Sequence, residues 1–388
     1  MPATSTFALL ATILLTLSFP RPVSAANAPT VRTLRLPDGG VQPQAAVGPG
    51  NVVHIIYLTG DPSKSDIFYM RSADGGQSFS KPIRVNSQPG SAIAMGTVRG
   101  AHLAIGRGGR VHVAWMGSAT ALPKGPGKSA PMLYARSTAD GSSFEPQRNV
   151  IDSKPGLDGG GSVAADQRGN VYVAWHAPGA PGEGEQSRRV WLARSNDDGK
   201  TFAHEQSITS ATGACGCCGM RLFADHGSLY ALYRTANQQT QRDMTLVRFD
   251  PRTAKSESTT VGPMRSGVCV MSTAALAAGP NDSVLAAWET NGQINWARII
   301  NGKEIAGQAV AGQRNNPKHP ALASNAAGQT LLVWTENTGW NRGGSIAWQI
   351  FDSEGRAIRA SAGNTPGLPA WGAPAAFSRA DGSFTIVY

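Results

Sequence analysis

His102 to Trp115 reads HLAIGRGGRVHVAW: two runs of alternating apolar residues, joined by a glycine-rich turn, the second run ending in an aromatic residue. Such alternation about a tight glycine turn predicts a β-hairpin with one buried face. The pattern returns in SVAADQRGNVYVAW from Ser162 and in PALASNAAGQTLLVW from Pro320. Across the chain the terminating aromatics are Tyr57, Trp115, Trp175, Tyr233, Trp288, Trp334 and Tyr388, spaced 46 to 60 residues apart. That interval leaves room for two more strands per unit, and IFYMRS from Ile67, MLYARS from Met132 and VWLARS from Val190 are third-strand candidates. Four strands recurring at this period define a propeller blade, so the fold expected is all-β, a seven-bladed β-propeller. The chain ends at Tyr388, directly after the seventh hairpin, and that blade needs a strand from elsewhere. Val31 to Leu36 is expected to supply it, pairing the N- and C-terminal strands and removing two open sheet edges. A six-bladed ring is the alternative.

Composition agrees. The 388 residues include 46 Gly and 25 Pro, with 41% hydrophobic and 15% charged residues. This is too apolar for disorder and too rich in turn formers for a helical protein. Phe7 to Phe19 is mostly apolar and uncharged, and is followed by Pro20, Pro22 and Val23-Ser24-Ala25. Residues 1–25 therefore read as a signal peptide, leaving 26–388 as one propeller domain in the periplasm or outside the cell. The apolar run is shorter than the ~20 residues of a membrane-spanning helix and no later stretch reaches that length, so no membrane insertion is expected. Formal charge is +10, or +9 once Arg21 leaves with the leader, but no dense Lys/Arg run exists and no nucleic-acid partner is expected.

Three short loops follow third strands: Ser72 to Phe79, Ser137 to Phe144 and Ser195 to Phe202. They resemble Asp boxes, the Ser-x-Asp-x-Gly-x-Thr/Ser-Phe/Trp hairpins of the sialidase-like propeller superfamily. The first and third match fully; the second has Ala139 where the acid belongs and Asp140 one place later. These acids cap turn amides and are structural.

All four cysteines fall in two neighbouring units, as Cys215-Gly216-Cys217-Cys218 and Cys269. In an exported protein disulfides are the default. Adjacent cysteines resist two relaxed bridges, although one bridge from Cys269 to the cluster, with two thiols left over, is feasible. The competing reading is a metal-thiolate site. In a propeller the connections entering innermost strands share a face with the ends of second strands. That places Cys215 to Met220, Met264 to Met271 and Asn315 to His319 beside Met116, His176, Arg234, Glu289 and Glu336. Close-set cysteines with nearby thioethers suit copper(I), in one or several ions shared through bridging thiolates, better than a zinc site, which uses separated Cys-x-x-Cys pairs. Cys215, Cys217, Cys218 and Cys269 are the expected ligands, with Met271 and His319 completing the set. Arg99, Glu289 and Glu336 are candidate rim groups for orienting a substrate or moving protons. His54 and His112 lie within second strands and read as packed groups; Asp158, before three glycines, reads as a turn residue.

The chain also resembles a secreted bacterial group of sialidase-like propellers that carry Cys-x-Cys-Cys in one blade and a lone Cys followed by Met in the next. Cys215, Cys217, Cys218, Cys269 and Met271 carry that likeness, with HPALASNAAGQTLLVWTENTGWNRGGSIAWQIFD from His319. A sialidase reads its substrate carboxylate with three arginines and attacks through a tyrosine. Arg99, Arg221, Arg234, Arg265, Arg314 and Arg342 are available near blade edges, but no Tyr occurs between Tyr233 and Tyr388. The leading expectation is an exported copper-dependent oxidoreductase acting on a small molecule, such as formaldehyde or another aldehyde or alcohol, served by a copper donor protein. The alternatives are a non-catalytic copper store and a glycoside hydrolase or glycan-binding protein.

Overall fold

Each aromatic-terminated hairpin forms the inner half of a sheet in the computed structural model, which describes residues 1, 29–179, 184–209, 213–237, 240–300, 303–313 and 315–388. Beyond Met1, the leader read at 1–25 lies outside the described residues, as does Arg314. His102–Ile105 pairs antiparallel with Val111–Met116, Gly161–Ala165 with Val171–Pro178, and Lys318–Ser324 with Thr330–Glu336. Two outer strands complete each of six four-stranded sheets, the first to sixth blades, at 41–84, 102–149, 161–207, 221–262, 275–309 and 318–368. The seventh blade joins Ala375–Ser378 and Phe384–Val387 to Val31–Leu34. Innermost strands touch in order around the ring, and Ala375–Ser378 touches Val41–Val47, so the ring closes with seven blades.

The closing strand runs parallel to Phe384–Val387, because it arrives from the far end of the chain and not through a hairpin. Beyond it, Tyr388 N–H donates to Leu34 O and Leu36 N–H to Tyr388 O, each at 3.0 Å. The apolar core is divided into seven layers between adjacent blades, and each layer holds one repeat aromatic. This explains the long sequence period: a blade buries its faces only against its neighbours.

The turn loops behave as caps. Asp74 accepts Gln77 N–H and Ser78 N–H, and Asp197 accepts Thr201 N–H and the Thr201 and Ser195 hydroxyls. In the irregular copy Asp140 does this work with Thr138 and Ser142 as partners. Phe144 and Phe202 pack edge-on against Tyr69 and Tyr134 of the preceding blade, locking blades at their rims. His54 and His112 are buried scaffold groups, bonded through Nδ1 to the Tyr69 and Tyr134 hydroxyls at 2.8 and 2.7 Å. No described helix is long and apolar enough to cross a membrane.

Candidate metal centre

Two blade-entering connections bring the cysteines together. Residues 215–218 lead into the fourth blade and 264–271 into the fifth, and Gly219 N–H ties them by donating to Ser272 O at 3.1 Å. All four sulfurs lie within 4.8 Å of one another. Cys215 Sγ is 3.1 Å from Cys218 Sγ and 3.4 Å from Cys217 Sγ. Cys217 and Cys269 are joined as a disulfide, while Cys215 and Cys218 are free and buried. The single-bridge pairing left open by the sequence and the clustering needed by a metal therefore coincide in one place. Reduced, the same four sulfurs form one donor set able to hold a metal ion. Met264, Ala236 and Val270 pack against it, and Cys269 is exposed, so the cluster opens to solvent on that side.

The surroundings favour a negative sulfur at one position, Cys218. Cys215 donates to Cys218, which draws the Cys218 thiol down against the opposing effect of burial. The Arg234 charge and the Met271 and Ser272 N–H groups act in the same direction. Cys215 is pushed up by the same hydrogen bond and by burial. Arg234 is itself buried: Nη1 donates to Arg242 O at 2.8 Å and to Met264 Sδ at 3.1 Å, and Nη2 to Glu289 Oε2 at 3.2 Å. Gly292 N–H holds the other Glu289 oxygen at 2.7 Å. Glu289 thus anchors Arg234 beneath the sulfurs, and burial raises its carboxyl despite that partner.

A second layer lies over the Cys-x-Cys-Cys turn. Glu185 accepts Gly216 N–H and pairs with Arg242, both at 2.7 Å. His176 Nε2 lies 3.0 Å from Gly216 O and 3.1 Å from Gly159 N, and burial, then Arg188, lowers the imidazole to about 4. At Gly159 there is no room for a side chain, since a Cβ would sit 2.2 Å from Gly216 O. Asp158, read from the sequence as a turn residue, also binds two guanidiniums, Arg99 at 3.1 Å and Arg188 at 3.6 Å.

Of the remaining predicted residues, Met271 lies on the cysteine connection at φ 50°, its N–H turned to Cys218. His319 comes from the sixth blade. It is buried, its Nδ1 accepts Thr273 N–H at 3.3 Å, its own N–H donates to Ser272 Oγ, and burial, then Lys318, lowers it to about 3. It reaches the connection carrying Cys269 and Met271 but is not one of the four groups within 4.8 Å. Glu336 is buried and accepts Trp334 Nε1–H at 3.0 Å. Glu185, Arg188, Arg242 and Lys318 went unnoticed in the sequence. Glu185 and Arg188 sit in or beside a Gly/Pro-rich insertion with no repeat position to flag them, and Arg242 follows the second strand of its blade by an irregular loop.

The sulfurs lie beside the axial channel and not in its wall. The channel, a cavity of about 630 Å³, is lined from Arg221 and Thr273 onward, just past the two cysteine connections. The candidate sialidase arginines are dispersed among different partners: Arg99 with Asp158, Arg234 with Glu289, Arg221 with Gln44 in the channel, while Arg265 and Arg342 are exposed. Tyr388 is buried in the layer between the sixth and seventh blades.

No family model matches the chain, and no curated protein does. Solved structures share its fold. A protein of unknown function from Dyadobacter fermentans superposes with TM-score 0.55 at 13% identity, covering 82% of this chain and 96% of that one. Trypanosoma rangeli sialidase gives 0.52 at 12% identity over 79% of this chain and 54% of the other, so the match spans about half of that enzyme. An α-L-arabinanase of Penicillium chrysogenum gives 0.51 at 13% identity, covering 82% and 95%. At such identities the likeness is one of architecture: the chain has the sialidase- and arabinanase-like propeller fold and carries, in addition, the Cys-x-Cys-Cys cluster.

Proposed function

We propose that the four cysteines, once reduced, hold copper(I), and that the protein is an exported copper-dependent oxidoreductase for a small aldehyde or alcohol, formaldehyde being the first candidate. The supporting observation is the convergence of four sulfurs within 4.8 Å from two separate connections, with Met264 packed against them. A soft, all-sulfur donor set suits a soft monovalent metal. Cys215, Cys217, Cys218 and Cys269 hold the ion or ions, and Met271 and His319 stand next in line. When bound, copper supplies one-electron redox chemistry.

The chain's own groups have separable tasks. The hydrogen bond from Cys215, then Arg234 and the Met271 and Ser272 N–H groups, favour the deprotonated form of Cys218, and Glu289 fixes Arg234 as a positioning residue. Asp158 holds Arg99 through Nε and Nη2, leaving Nη1 to orient a substrate oxygen. Glu336 is the candidate for moving a proton at the rim. The exposed side at Cys269 and Val268 gives a copper donor a place of approach.

The test is turnover. Reduced, copper-loaded protein is given formaldehyde with dioxygen or a dye as electron acceptor, and formate is measured. Formate is expected from the wild type and none from the variant with all four cysteines replaced by Ser; turnover that survives that replacement contradicts the proposal. A second reading, a copper store or carrier, is favoured by the structural bonds that occupy both Glu289 and Glu336. It predicts tight uptake with no formate. A glycan-directed role rests on fold alone, and sialoside hydrolysis by the all-Ser variant would establish it.

A further inference from the structure

Two guanidiniums line the axial channel, neither used by the cysteine site: Arg168 is paired with Asp166, and Arg221 has no carboxylate partner among the described residues. Arg221 opens the innermost strand Arg221–Asp225 and lines the cavity, whose walls are largely Ala, Val and Leu from the innermost strands. Its Nη1 donates to Gln44 Oε1 and, at 3.3 Å, to His102 Nδ1. Among the described residues no carboxylate pairs with it, and Nε and Nη2 have no partner, yet neither is sealed from the cavity. Burial alone acts on its charge, which persists at neutral pH.

A second donor stands beside it. His102, from the second blade, also lines the cavity, and its Nδ1 lies 2.8 Å from Ser162 Oγ. That hydroxyl oxygen accepts Leu222 N–H at 2.9 Å, and because the neighbouring Arg221 Nη1 can only donate to Nδ1, Nδ1 is an acceptor and the Ser162 proton turns toward it. With Arg221 and Ser162 both donating to Nδ1, the network assigns the ring proton to Nε2. Burial, then Arg221, keeps the ring neutral. A half-buried cation without a counter-charge is unfavourable until an anion joins it.

We propose that the channel binds a small carboxylate, its two oxygens on the Nε/Nη2 edge of Arg221, with His102 Nε2–H as second donor and its alkyl end against the apolar wall. A guanidinium edge matches the spacing of a planar carboxylate, which distinguishes this ligand from a tetrahedral anion. The site draws one guanidinium from the fourth blade and one imidazole from the second, which meet in the channel. It stands whether or not the cysteines hold metal. Cys218 precedes Arg221 by three residues, so an acid formed at the cysteines would meet this site next; only that link rests on the reading above.

The experiment uses metal-free, full-length protein and acetate, followed by broadening of the acetate methyl NMR line at fixed ionic strength. Wild type is expected to broaden it saturably. Arg221→Gln should weaken binding by about tenfold or more, the loss expected for a charge-assisted pair of hydrogen bonds. His102→Phe should weaken it less. Arg221→Gln should melt no lower than the wild type, because it removes an unpaired charge. Arg221→Lys keeps the charge without the fork and serves if the Gln variant fails to fold; it too should bind acetate more weakly. Equal broadening by wild type and either folded Arg221 variant overturns the proposal. Displacement of acetate by inorganic phosphate at concentrations below those at which acetate itself binds overturns the carboxylate assignment.

Discussion

His54 provides a quantitative test of the scaffold. It is 5% exposed, and its ring stacks on Tyr69, whose hydroxyl bonds Nδ1 at 2.8 Å. Burial, and secondarily Arg71, lowers its pKa from 6.5 to about 4. The unfolded chain therefore binds a proton that the folded protein refuses between those two values. Stability from this group is intact above pH 6.5 and is lost as pH falls toward 4. At pH 4.5 the loss amounts to about 2.5 kcal/mol, and at pH 7.5 it is negligible. The double variant His54→Phe/Tyr69→Phe removes both hydrogen-bonding partners together, so no buried hydroxyl is stranded, and at pH 7.5 it should lie within about 1 kcal/mol of the wild type. Urea unfolding at pH 7.5 and 4.5 gives the difference directly from midpoint and slope. The wild type should lose about 2.5 kcal/mol more on acidification than the double variant. Equal losses in the two proteins would show that His54 is protonated in the fold, and the assignment of this imidazole as a neutral packing group would fall.

Other substitutions separate scaffold from site. Trp175→Ala empties the layer between the second and third blades and should cost about 3–5 kcal/mol in urea unfolding, whereas a surface aromatic would cost little. Asp197→Ala removes the cap on Thr201 and should cost about 1 kcal/mol while leaving metal content unchanged; a loss of metal would contradict a purely structural Asp box. Cys269→Ser releases Cys217, so denatured, unreduced protein should titrate three thiols where the wild type titrates two, Cys215 and Cys218. A single thiol in the variant would mean that Cys269 lies outside the bridge and that the pairing is within Cys215, Cys217 and Cys218.

The ring was legible because its signal repeats: seven aromatics at blade intervals, each now found in its own inter-blade layer, while the closing strand expected over Val31 to Leu36 is seen at Val31–Leu34. The Cys-x-Cys-Cys cluster was legible because propeller topology alone places entering connections on one face. What escaped was carried by irregular segments. Glu185 reaches Gly216 N–H from a short helix after a Gly/Pro-rich stretch, and Asp158 gathers two guanidiniums from a loop. Neither has a counterpart in other blades, so periodicity is silent about them. Glu289 follows its repeat aromatic in register, but its partner Arg234 follows the equivalent aromatic of the preceding blade, a pairing that depends on inter-blade spacing and not on either position alone.

The central claim is that these sulfurs form one metal site. The direct measurement is copper per chain, by elemental analysis after anaerobic reduction, copper(I) loading and desalting, together with the count of titratable thiols. At least one copper per chain should be retained, with the four thiols protected and retention abolished by Cys218→Ser combined with Cys269→Ser. Copper at background level, with all four thiols freely reactive, would contradict the account.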